Sequence, residues 1–255
     1  MKSLLCAFNS FADNFKEIQD THNSDRLNEI QSLLGLELYS EDTELELLQK
    51  YRRDLEVDEY LSSPYCERME GSRMDAMKND EVFQNWFSSA CSRMLLLLGY
   101  NNAAIYSAPN CWLSPLAINM ISSIRQAPNA GPCAFYIPRL HNDDASFPKA
   151  VLSMVFQILS ADKAVLQDNR HSKLLVEIRA HHDTIQRGEA SQEAVQGIAL
   201  KALNLFGPST TIWLVVDCVD KCRKSNGQND FRKRLLRTLV ALVEKAKAKA
   251  GYLPS

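Results

Sequence analysis

The chain has 255 residues, of which 45% are apolar and 24% charged, with nine Gly and nine Pro. That is the profile of a globular protein with room for one large or two small domains, and it excludes disordered, collagen-like and low-complexity classes. Net charge is −2, but residues 1–60 carry 14 acids against 6 bases while residues 221–250 carry 10 bases against 2 acids.

The basic end reads as a helix whose Lys245, Lys247 and Lys249 complement the negative helix terminus, with no interleaved aromatics, so no nucleic-acid partner is expected. Seven cysteines, odd in number and lacking paired C-x-x-C spacing, argue against a disulfide framework or zinc site and for a reducing, cytoplasmic setting. MKSLLCAF is too short for a signal peptide, and the run MLLLL near Leu97 falls far below the roughly 20 residues that span a bilayer. The expectation is a soluble protein with no membrane partner.

In chain order, residues 1–60 read as three small amphipathic helices. Leu4, Phe8, Phe11, Phe15 and Ile18 form one stripe; Leu27, Ile30, Leu33 and Leu34 form a second after the cap candidates Asn23 and Ser24. A third, from Ser40, places Leu45, Leu48, Tyr51 and Leu55 together, with acids in its first turn. A helical bundle or hairpin is the expected result. Residues 61–78 read as a connector broken by Pro64 and Gly71. Next, Asn79 or Asp80 caps a helix presenting Val82, Phe83, Trp86, Phe87, Cys91, Met94 and Leu95, stopped by Gly99.

From Asn102 the pattern alternates between strand and helix. Strands are expected at Asn102–Tyr106, Cys133–Pro138 and Thr211–Asp217. Helices are expected at Leu116–Ile124 (Ser114 as N-cap, Pro115 first), Phe147–Leu159, Lys173–Arg187, Gln192–Leu205 (stopped by Gly207) and Asn229–Ala250. This predicts an α/β fold: a parallel sheet flanked by helices on both faces, preceded by an N-terminal helical region.

Thr211–Cys222, TIWLVVDCVDKC, carries the densest signal. Its apolar run fits a strand buried on both faces, and Asp217 and Asp220 then fall at the carboxyl end of the sheet, where ligands bind in open α/β folds. The same pattern also describes a core strand with a capped end. After the first strand, a phosphate-binding loop would read GxxxxGK[ST], its glycines admitting the anion and its lysine reaching the terminal phosphates. Here the slot reads Ser107-Ala108-Pro109-Asn110-Cys111-Trp112-Leu113-Ser114. Trp112 would fill the space a phosphate needs, and Leu113 offers neither charge nor donor.

With these motifs, residues from about Leu61 to Lys224 resemble the NACHT domain of fungal STAND-type proteins, a group of signalling P-loop NTPases. Val82–Phe87 is similar to the family's Thr-Phe-x-Trp-(Ile/Leu)-Phe segment. AIYSAPNCWLSPL stands at its phosphate loop, retaining Pro109, Ser114 and Leu116, and TIWLVVDCVDKC at its Walker B strand, retaining Asp217, Asp220 and Cys222. The resemblance implies a P-loop NTPase-like fold, with residues 1–78 as a helical region and 79–255 as a degenerate, incomplete NACHT-like domain. It assigns Ser107, Pro109, Asn110, Leu113 and Ser114 to a vestigial phosphate loop, and Asp217 to Mg²⁺ if a nucleotide binds.

Lys221, however, stands where the family has its catalytic glutamate. Losing that acid and the loop lysine removes the main electrostatic terms of phosphoryl transfer. The implied protein is a pseudo-enzyme with no catalytic residues and no cofactor, serving signalling or assembly through a protein partner or self-association. The alternative is an ATP- or GTP-binding, Mg²⁺-dependent switch built on Ser114, Asp217 and Asp220 with an unorthodox loop; a third reading is a decayed fragment. The family continues into a sensor strand beyond the point matching Ser255, so a truncated relative or a piece of a longer protein is expected.

Other polar groups are read as structural. His181 and His182 point about 100° apart on a helix and share one ion poorly. Cys218 and Cys222 read as buried thiols, and Asp143-Asp144 as a helix cap.

Overall fold

The computed structural model describes residues 2–37, 39–57, 75–89, 92–97, 113–127, 130–137, 146–167, 170–217 and 231–249. Helices dominate: α1 (Lys2–Leu33), α2 (Glu41–Val57), α3 (Glu81–Phe87), α4 (Leu113–Gln126), α5 (Phe147–Ala161), α6 (Arg170–Ala180), α7 (His182–Gln186), α8 (Gln192–Leu203) and α9 (Phe231–Lys249). Between them lie strands β1 (Cys133–Tyr136) and β2 (Trp213–Val216), paired in parallel with Cys133 opposite Trp213 and Tyr136 opposite Val216. The α/β character is present, but the sheet among the described residues has two strands. The expected first strand, Asn102–Tyr106, lies outside them.

Alternation along the strands divides the core into two layers. Cys133, Phe135, Ile137, Trp213 and Val215 meet Leu48, Tyr51 and Leu55 of α2 and Ile118, Ile121 and Ile124 of α4. On the other face, Ala134, Tyr136, Leu214 and Val216 meet α1, α5, α8 and α9. Side chains of successive strand residues point to opposite faces, so a two-sided helical cover follows directly from continuous apolar strands. β1 is buried throughout, whereas β2 is half-buried along its length, contrary to the expectation of full burial on both faces.

Three sequence expectations change. The first two helices are one 32-residue helix, with Asn23 buried in its interior rather than capping an end. No Gly or Pro interrupts residues 2–33, and the helix stops only at Gly35, whose φ of +67° suits glycine. There, Gly35 N–H donates to Ser32 O and Leu36 N–H to Gln31 O, the paired bonds of a Schellman stop.

Second, α1 and α2 do not lie together as a hairpin. α1 joins the core on one face of the sheet and α2 on the other. The stripe on α2 is Glu44, Leu48, Tyr51 and Leu55, while Leu45 is exposed.

Third, the helix capped by Asp80 ends at Phe87, short of Leu95, and buries no residue. Asp80 Oδ1 accepts from the amides of Val82 and Phe83, and Phe83, Trp86 and Phe87 cluster with Trp213 of β2. Smaller shifts follow the same logic of backbone satisfaction. α8 ends at Leu203 with Asn204 rather than Gly207 as its cap, and the predicted Lys173–Arg187 helix is split at His181. No helix among the described residues is long and apolar enough to cross a membrane.

Two residues close the sheet. Gly131 passes so near β2's lead-in that a Cβ there would stand 1.9 Å from Thr211 O. Gln157, buried on α5, accepts from Phe135 N–H at 2.7 Å and donates to Phe135 O at 2.9 Å, standing in for a neighbouring strand on the edge of β1 that faces away from β2.

Candidate functional site

Asp217 follows β2 directly, and its amide donates to Tyr136 O at 3.2 Å, extending the ladder by one residue. Its residue parity matches Trp213 and Val215, so it belongs to the α2 and α4 side of the sheet. The side chain is only 7% exposed. Tyr51, 2% exposed on α2, donates its hydroxyl to Asp217 Oδ2 at 3.0 Å. A buried tyrosine hydroxyl needs a partner and a buried carboxylate needs donors, so this bond meets two demands at once.

α2 is tied to α4 as well. Arg52 donates to Ser122 Oγ at 2.9 Å, and Arg125 approaches Glu44 at 3.9 Å. Ser114, fully buried, lies in the first turn of α4, which packs against both strands. The helix begins at Leu113, so Ser114 is inside it rather than capping it, and Pro115 is its third residue. Proline is tolerated there because first-turn amides have no partner within the helix. It also withdraws one amide from any anion that would dock on this terminus. Leu113, the residue at the loop-lysine position, is half-buried and brings no charge. Ser107, Pro109, Asn110 and Asp220 lie outside the described residues, as do Lys221, Cys218 and Cys222 and Asp143-Asp144; the cap of α5 is Ser146.

Toward the other end of the sheet, near Cys133, sits a group that sequence reasoning missed. Glu44 reads in the sequence as one of several first-turn acids, yet its spacing of four before Leu48 puts it on the buried stripe. Burial pushes its carboxyl up to about 8, against the smaller opposing pull of Arg125. Desolvation likewise raises the Cys133 thiol to about 11, leaving it an inert core thiol. Tyr39, Glu44, Arg125, Gln157 and Ser160 line a cavity of about 10 Å³, one water molecule in size and far too small for a nucleotide.

Among the described residues no group of three or more His, Cys, Asp or Glu side chains could hold a metal ion. His181 Nε2 lies 3.7 Å from Glu177, whereas His182 Nδ1 contacts Leu33 O at 3.1 Å, so the two imidazoles serve different neighbours.

Among the described residues, a parallel pair of strands covered by helices on both faces, with an acid at one strand's carboxyl end, gives the protein a helix-flanked α/β character. Residues 73–253 match the family described as Nephrocystin 3, N-terminal, and the chain belongs to that family. No curated protein and no solved structure matches the chain.

Proposed function

We propose that this protein is a degenerate NACHT-like module of P-loop NTPase descent that does not hydrolyse nucleotide and works in the cytoplasm by assembling with protein. The observation that carries this reading is the hydrogen bond from Tyr51 to Asp217. The one described acid in the metal-binding position of the resembled family is buried and engaged by an N-terminal helix. Leu113 at the lysine position points the same way, since phosphoryl transfer depends on positioned charge.

The test is a thermal-shift titration with ATP, ADP and GTP, with and without Mg²⁺. A ligand bound only by the folded state raises its melting temperature by mass action. No shift at saturating nucleotide is the expected result. The competing reading, a Mg²⁺-dependent nucleotide switch, draws on Ser114 and Asp217 belonging to the same layer of the fold. A Mg²⁺-dependent shift abolished by Asp217→Ala would establish it and overturn the pseudo-enzyme.

A further inference from the structure

The N-terminal half of α1 carries an apolar stripe that this chain's own core does not use. From residue 10 to residue 22 every side chain is exposed except the half-buried Gln19, and the helix joins the core only from Asn23 onward. Along this projecting half, Phe11, Phe15 and Ile18 are 69%, 53% and 55% exposed. Their spacing of four and three continues back through Phe8 and Leu4 in the sequence, the repeat of a coiled-coil seam. After Ile18 the repeat lands on His22 and Asp25, while the residues that enter the core are Asn23, Leu27, Ile30 and Leu34. The two stripes are offset by one residue, about 100° around the helix. One helix therefore carries two apolar faces: one serves this chain's core and the other points to solvent.

Charge placement bears on what can cover the second face. With Phe8 and Phe15 at a and Phe11 and Ile18 at d, the flanking e and g positions are Ala12, Asn14, Gln19 and Thr21, all neutral. Asp13, Lys16, Glu17 and Asp20 fall at b, c and f, facing away from the seam. A partner of opposite charge would be selected through charged e and g residues; here a second identical helix meets no like-charge repulsion. At 69% and 53% exposure, Phe11 and Phe15 from two copies leave about 370–610 Å² to bury at roughly 150–250 Å² per ring. With Ile18 the area stays below the roughly 1,200 Å² where specific interfaces begin, the range of weak, concentration-dependent association.

We propose that the exposed Phe11-Phe15-Ile18 seam of α1 is a homotypic interface, its occupant the same segment of a second copy of this chain. The proposal extends the assembly reading by naming the partner, and it stands apart from the nucleotide titration, which reports on Asp217 alone. Sedimentation of the full chain across the micromolar range tests it. The expected result is concentration-dependent self-association that Phe11→Glu with Phe15→Glu weakens roughly tenfold or more. Asp13→Lys, at an outward position, is expected to leave association unchanged, and circular dichroism checks that both variants stay folded. A wild-type monomer throughout, association indifferent to the Phe substitutions, or equal loss in Asp13→Lys would overturn it. So would a monomer that binds anionic lipid vesicles through Phe11 and Phe15, because the face would then belong to a membrane surface.

Discussion

Tyr51 and Asp217, 166 positions apart, are joined by a hydrogen bond of 3.0 Å inside the core. The bond links the second helix of the chain to the carboxyl end of its second described strand. Removing the hydroxyl leaves a buried carboxylate short of a donor, at a cost of about 1–3 kcal/mol. Tyr51→Phe is therefore expected to lower the urea midpoint without changing the m-value. An unchanged midpoint would show that the bond contributes nothing.

Glu44 makes stability depend on pH in an unusual direction for a carboxylate. Its folded value, raised by burial from 4.5 to about 8, means that the native state holds the proton more tightly than the unfolded chain. The contribution is complete below about 4.5 and is lost as pH rises through about 8, with a slope of at most about 1.4 kcal/mol per pH unit. Glu44→Gln, neutral at every pH, should melt with wild type near the acid end and above it near pH 9. Parallel curves for the two proteins would refute the assignment.

Gly131 and Gly207 separate steric need from mere presence of glycine. A Cβ at Gly131 would collide with Thr211 O, which is backbone and cannot swing aside, next to the bond from Trp213 N–H to Pro132 O that opens the ladder. At Gly207 the nearest atom is Thr210 Oγ1 at 3.7 Å, an ordinary contact. Gly131→Ala should lower the melting temperature by several degrees while Gly207→Ala leaves it nearly unchanged. Equal effects would mean that the close approach is not maintained in solution.

These residues also show where the sequence is readable. β1 and β2 stand out because runs such as Trp213–Val216 have few alternatives to a covered strand. α5 is equally plain, bounded by Ser146 and apolar on nearly every side. What stayed hidden depends on contacts that are remote along the chain. Tyr51 belongs by spacing to an apolar stripe, and nothing near it announces a carboxylate partner 166 residues away. Asn23 and Ser24 have the chemistry of a cap, yet uninterrupted helix propensity on both sides carries the backbone through them. The break after Phe87 has no Gly or Pro to mark it. Of the candidate site, Asp217 and Ser114 were legible from motif position, and their burial was not.

The Gln157 amide facing Phe135 sets a limit on how molecules of this protein can join through their sheets. The Phe135 N–H and C=O on that flank of β1 are already answered by a side chain from the same molecule, and an incoming strand would have to evict it. Joining through this flank therefore starts from a deficit of two hydrogen bonds that an open strand edge would not carry.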